Sequence, residues 1–255
     1  MEERRMRTED SAQAKLYEAL MATAYQTHPY RHPVIGWMDD LKHMTVDDAR
    51  RWYENWYSPN NATLVVAGDV DPAQVFAWSA QYFGAIPSRV LPERKPQREP
   101  DQIGMKQVTV KAPAKLPVVA LVWQAPRLND PANDWEPYAL EILEGVLDGH
   151  ASARLNKSLV RESQIANSAN AGYSAMARGP SIFFLSAVPR AGKTVAELEQ
   201  ALRKEIEKIT KTSKSTIGNY CQNIKLNKVQ TQRLSDNQKN GLIKASLLGS
   251  QSNRN

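Results

Sequence analysis

The sequence predicts an α+β fold, a layered sandwich of mostly antiparallel sheet and helices. Three observations predict it. Segments with apolar residues at helical spacing are interleaved with short β-branched runs. Between residues 105 and 210 the elements read β-β-α-α-β-β-α, with strands in adjacent pairs and helices grouped between them, unlike the strict alternation of a doubly wound sheet. A stretch at 87–104, where Pro87, Pro92, Pro96 and Pro100 alternate with charges, reads as a semi-rigid linker dividing the chain. The chain has 255 residues, 42% of them hydrophobic and 24% charged, enough for one large or two small domains.

Residues 1–26 read as one helix, charged at first and then carrying Ala12, Leu16, Ala19, Leu20 and Ala24 on one face. The stretch His28-Pro29-Tyr30-Arg31-His32-Pro33-Val34-Ile35-Gly36 cannot be helical, because its two prolines push their predecessors into extended geometry. Thr45 and Asp48 form a near capping box for a helix with Ala49, Trp52, Tyr53 and Trp56 along one side, read as core packing. Ser58-Pro59-Asn60 stops it, and Leu64-Val65-Val66-Ala67 reads as a buried strand ending at Gly68. Asp71-Pro72 supplies an N-cap and a first helical residue. The helix that follows places Val75, Phe76, Ser79, Tyr82 and Phe83 on its apolar face.

Beyond the linker, 108–110 and 118–123 read as strands and 134–147 as a helix with Gly149 as C-cap. Ser152 opens a shorter helix through Arg161. Two strands, around 171–177 and 182–188, flank Gly179-Pro180. Thr194 and Glu197 form a capping box for a helix with Leu198, Leu202, Ile206 and Ile209 inward. After Thr210 no clean period remains, and residues 211–255 read as a basic polar tail without an assigned fold.

The net charge of +6 belongs to that tail, where eight Lys/Arg face one acid, Asp236. Residues 1–210 are close to neutral. With Tyr220 its single aromatic residue, the tail offers nothing on which bases could stack, so no nucleic-acid partner is expected. No apolar run approaches the ~20 residues of a membrane span. One cysteine, Cys221, excludes an internal disulfide framework and a Cys-rich zinc site. Glycines 68, 104 and 145 form no phosphate cradle.

The run Glu2-Glu3-Arg4-Arg5-Met6-Arg7-Thr8-Glu9-Asp10, the His28–Gly36 stretch, and Trp56-Tyr57-Ser58-Pro59-Asn60-Asn61-Ala62-Thr63-Leu64-Val65-Val66-Ala67-Gly68-Asp69-Val70 together resemble the pitrilysin/insulinase (M16) family of zinc metallopeptidases. The likeness is to its bacterial, processing-peptidase-like branch. Ala151-Ser152-Ala153-Arg154-Leu155 through Leu159-Val160-Arg161-Glu162 resembles the family's second domain, and the likeness covers about 1–210.

The resemblance implies two similar α+β domains enclosing a chamber for unfolded peptides. Residues 1–86 would be the C-terminal half of the first domain, 87–104 the linker and 105–210 the larger part of the second. It also implies zinc held by two histidines of an H-x-x-E-H helix and a later glutamate, with the motif's own glutamate as general base. No such motif occurs here, so the chain is expected to be a fragment, with no catalytic residue of its own and none or weak zinc binding. The later glutamate falls on Glu3, with Glu2 the alternative; either could instead be a solvated acid at a helix start.

His28 and His32 stand four apart, but the prolines deny them a shared helix face. His43 and His150 have no evident partner. Arg161 matches an arginine that contacts substrate in the family, or it makes a helix-end salt bridge. The family's tyrosine seven residues on is replaced by Ser168, and Tyr173 is the nearest tyrosine.

Expected partners are a peptide or unfolded-protein substrate, and either a second copy of the chain or a missing N-terminal half or partner subunit. The alternative function is a non-catalytic peptide-binding subunit. The resemblance suggests bacterial periplasm or cytoplasm.

Overall fold

The computed structural model describes residues 1–211 and 242–249. It divides into two compact units, one of residues 1–35 with 97–255 and one of Gly36–Pro96.

The first unit is built on a five-stranded sheet in the order β1-β5-β2-β4-β3. Its strands are β1 (Lys106–Ala112), β2 (Val118–Ala125), β3 (Ala166–Gly172), β4 (Ser181–Pro189) and β5 (Leu242–Gly249). All pairings are antiparallel except β1 with β5. The mostly antiparallel α+β sandwich is therefore present. Two expectations need correction. β1 and β2 are not an adjacent pair, because β5, from the tail left without a fold, lies between them. β3 begins and ends earlier than the expected 171–177, since Ala166–Gly172 pairs with β4 in a register that shifts once between Ala166 and Ser168.

The central strand β2 is covered on both faces, which explains its unbroken apolar run. Alternation sends Val119, Leu121 and Trp123 to one side and Ala120 and Val122 to the other. On the first side β2 joins Phe183, Leu185 and Ala187 of β4. Helix α6 (Trp135–Asp148) covers them with Leu140, Leu143 and Leu147, and α7 (Val195–Lys211) with Leu198, Leu202, Ile206 and Ile209. Each fully buried leucine contributes about 1.5–3 kcal/mol over an exposed one.

The second side is closed by the chain's N-terminal part. Helix α2 (Ala12–Ala24) lays Leu16, Leu20 and Ala24, one face at i, i+4, i+8, against Ala112, Ala120 and Val122. The helix expected over 1–26 is not continuous. After α1 (Glu2–Arg4) the chain forms a π-helical turn over Arg5–Glu9, closed by Asp10 N–H to Arg5 O at 2.9 Å. Ser11 then breaks the helix, taking extended geometry while its hydroxyl accepts from the Ala14 N–H. The buried Arg4 guanidinium binds both Glu18 carboxylate oxygens, at 2.7 and 2.9 Å, and fastens this turn to α2.

The second unit holds α3 (Met38–His43), α4 (Val46–Trp56) and α5 (Pro72–Phe83). Their starts follow the expected chemistry: the Thr45/Asp48 box caps α4, and Asp71 accepts from the Ala73 N–H ahead of Pro72. Their burial does not. No residue of α4 or α5 is buried, and Ser58 is the one buried residue of this unit. Trp52, Tyr53 and Phe76 are each more than half exposed, so the aromatic stripe read as core packing is surface. The strand expected at 64–67 is likewise exposed and unpaired among the described residues, because no neighbouring strand is there to receive it.

Candidate functional site

Glu3 lies on α1, well exposed, with its carboxylate 3.2 Å from the Arg7 guanidinium one turn on. Glu2 is also exposed and pairs with Arg5. Helical spacing produces this arrangement. Arg4 faces α2 and is held there, which leaves its neighbours on the outer side of the turn. The π-turn that follows adds one residue to the helical repeat, a geometry that recurs at functional sites.

Arg161 sits in the other π-helical segment, Asn156–Glu162, where a regular helix was expected. Ser163 N–H reaches back five residues to Ser158 O at 3.0 Å. Gln164 then takes φ 52, a left-handed conformation uncommon for a side-chain-bearing residue, as the chain turns into β3. Arg161 is exposed, and among the described residues its guanidinium meets no carboxylate. The helix-end salt bridge considered for it is therefore not formed there. No hydrogen bond or ion pair joins Arg161 to Glu3 among the described residues. Tyr173 is committed elsewhere: its hydroxyl donates to Pro126 O at 2.5 Å, and burial pushes its pKa up to about 12.

The histidines serve local geometry. Pro29–Arg31 forms a 3-10 turn, a correction to the expectation that this stretch holds no helix; Pro29 suits a first helical position because its φ is already set. His28 caps that turn, its Nδ1 accepting from the Tyr30 N–H at 3.2 Å, and its ring packs edge-on against Tyr30. His43 Nδ1 lies 2.9 Å from Asp39 O, and His150 Nδ1 accepts from the Ser152 N–H. His32 is exposed. Among the described residues no group of three His, Cys, Asp or Glu could hold a metal ion. A catalytic zinc takes three protein ligands, and among the described residues no such set is brought together, at Glu3 or elsewhere.

Sequence reasoning missed two arrangements. The carboxylate of Glu99, inside the stretch read as linker, receives the N–H groups of Gln26, Thr27 and His28 at 2.6, 2.9 and 2.9 Å. Burial pushes Glu99 up, but the three amides outweigh it and hold the group below the usual carboxylate range. Beside it, Tyr25 is fully buried and donates to Pro180 O at 2.9 Å, while Tyr30 OH accepts from the Gly179 N–H. A Cβ at Gly179 would come within 2.5 Å of the His28 ring, so only glycine allows this approach. The second arrangement is Glu205, buried on α7, which accepts from Arg154 at 2.9 Å and Lys208 at 2.6 Å. The run of prolines and the 73-residue spacing hid the first; the amphipathic period of α7 placed Glu205 as an ordinary polar position.

Known proteins give the frame for these features. The family described as Peptidase M16 inactive domain matches residues 43–216, a span that includes Arg161 and not Glu3. The zinc protease PqqE of Helicobacter pylori is 33% identical over 172 residues, 66% of this chain and 38% of that protein. The crystal structure of a protease from Helicobacter pylori superposes with a TM-score of 0.78 at 23% identity, covering 97% of this chain and 70% of that one. The periplasmic protease PqqL from Escherichia coli superposes at 0.65 and 13% identity, covering 96% of this chain and 33% of that one. The chain thus spans little more than a third of its curated relative's length. On the match across 43–216, it belongs to the M16 family of zinc metallopeptidases.

Proposed function

We propose that this chain is the part of a zinc-dependent endopeptidase that carries a peptide-facing wall and one carboxylate ligand, and that it is catalytically silent by itself. The observation that carries the reading is the donor set: one exposed carboxylate at Glu3, and no cluster among the described residues that could complete a zinc site. Glu3 is the ligand position in the intact enzyme and Arg161 the substrate-facing cation. An exposed arginine on a π-turn, free of carboxylate partners among the described residues, is available to a peptide carbonyl or carboxylate. The substrate class is peptides or unfolded proteins, and the compartment is the bacterial periplasm or cytoplasm, with PqqL a periplasmic relative.

The matching family description, an inactive domain, also favours the reading of a non-catalytic peptide-binding subunit. Equilibrium dialysis with zinc and cleavage of an unfolded fluorogenic protein test the proposal. The pure chain is expected to retain less than one zinc per chain and to cleave nothing. Stoichiometric zinc with cleavage contradicts it. Supplying a polypeptide bearing H-x-x-E-H separates the two readings: restored cleavage that is lost in Glu3→Gln supports the enzyme, and peptide binding without cleavage supports the subunit.

A further inference from the structure

We propose that Glu99 is a latch on the tether by which the chain returns from the Gly36–Pro96 unit, and that its release frees residues 99–106 as slack in that tether. The chain leaves the sheet unit after Ile35 and re-enters it at Gln97. Residues 97–105, between that point and β1, form no helix or strand. Among the described residues, no backbone–backbone hydrogen bond joins them to the rest of the unit. A side chain supplies the attachment instead. The Glu99 carboxylate takes the N–H groups of Gln26, Thr27 and His28, and the Thr27 hydroxyl donates to the neighbouring Arg98 O at 2.5 Å.

The corner that receives Glu99 is held by other means. Tyr25, fully buried at the end of α2, donates to Pro180 O, and Tyr30 OH accepts from the Gly179 N–H. The His28 ring lies against Gly179. These contacts fasten the corner to the connection between β3 and β4, and none of them passes through Glu99. The latch therefore has a fixed keeper on one side and, on the other, a chain without secondary structure.

Three amides share one carboxylate, so their bonds are lost together when it leaves, and the tether has two arrangements. Engaged, Glu99 pins the return crossing beside the residues from which the chain departs towards Gly36. Released, the next point held by backbone pairing is Lys106, in register with Ile243 on β5. Seven residues lie between the two points, and extended chain over that length adds up to about 25 Å of reach.

Distances between paired spin labels test this, in a chain whose cysteine is removed by Cys221→Ser. One pair, Asp101→Cys with Met176→Cys, spans the tether and the β3–β4 connection. The other, Asp69→Cys with Met176→Cys, reports on the Gly36–Pro96 unit. Glu99→Ala is expected to broaden the first distribution, extend it by about 10 Å or more, and carry the second to longer distances. Glu93→Ala, which removes a linker acid outside the clamp, is expected to change neither. Glu99→Gln gives the same readout if circular dichroism shows the alanine variant to be unfolded. An unchanged first distribution in a folded Glu99 variant overturns the proposal. So does a first distribution that broadens while the second stays in place, since the clamp would then hold the stretch without setting the tether. Equal broadening in Glu93→Ala, or loss of folding in both Glu99 variants, overturns it as well.

Discussion

The two units of this chain share helix-capping chemistry, yet they differ in what their helices bury. The sheet unit closes both faces of its sheet, with Leu121, Leu140, Leu155, Phe183, Leu185 and Leu202 removed from solvent. In the Gly36–Pro96 unit α4 and α5 are well capped, and most of the Trp, Tyr and Phe side chains remain exposed. Capping and propensity make a helix; burial against a second layer makes a domain. The sheet unit has that layer within the described chain, and the other has not.

The sharpest way to break this contrast is a pair of truncations. Leu121→Ala, in the centre of the sheet, should cost about 2–5 kcal/mol by urea denaturation. Phe76→Ala, larger in volume lost but exposed, should change the same transition by no more than about 0.5 kcal/mol. Equal costs would show that the second unit shares a cooperative core with the first.

A smaller effect concerns the Glu99 clamp. Glu99→Gln keeps one acceptor oxygen, turns the other into a donor facing a backbone N–H and removes the charge, and should cost about 1–3 kcal/mol, read as faster exchange at Gln26, Thr27 and His28. Acid should loosen the same corner. His28 is held below its ordinary pKa by burial, with Glu99 opposing and Arg127 reinforcing. Its unfolded form therefore binds the proton more readily, and its contribution fades as pH falls from about 6.5 to its lower folded value. Glu99, also lowered, adds a second loss as pH falls below about 4.5. Exchange at these three amides that stays constant from neutral pH to pH 4, after correction for the intrinsic rate, would contradict the His28 effect, and constancy from pH 4.5 to pH 3 would contradict that of Glu99.

The smallest effect on stability is expected at Arg161. Arg161→Ala should leave the urea transition within about 0.5 kcal/mol of the parent and weaken binding of unfolded peptides, measured by fluorescence anisotropy. A stability loss without an affinity change would reassign it to a structural role.

Much of this architecture was legible in the sequence because its signals are local. The Thr194/Glu197 and Thr45/Asp48 boxes, the Asp71-Pro72 start and the β2 run all depend on neighbours a few residues apart. What was not legible depends on distant partners. Nothing in Leu242–Gly249 announces that it will separate β1 from β2, and nothing in Leu16, Leu20 and Ala24 says which sheet they will meet. The π-turns at Arg5–Glu9 and Asn156–Glu162 carry no propensity signal. For the Trp52, Tyr53 and Trp56 stripe, periodicity reported a face correctly and could not report that nothing among the described residues covers it. For the proposed site, the motif likeness singled out Glu3 and Arg161, while the geometry adds that Glu3 is exposed beside Arg7 on the outer side of a clamped turn.

The most direct test is residue-resolved hydrogen exchange on the chain. The amides of β2, β4 and α6 should exchange only through global unfolding and share one free energy. Those of α4 and α5 should exchange at least tenfold faster, through local opening. Equal protection in the two units, with a single shared dependence on urea, would contradict the claim that one unit has its core and the other lacks the layer that would complete it.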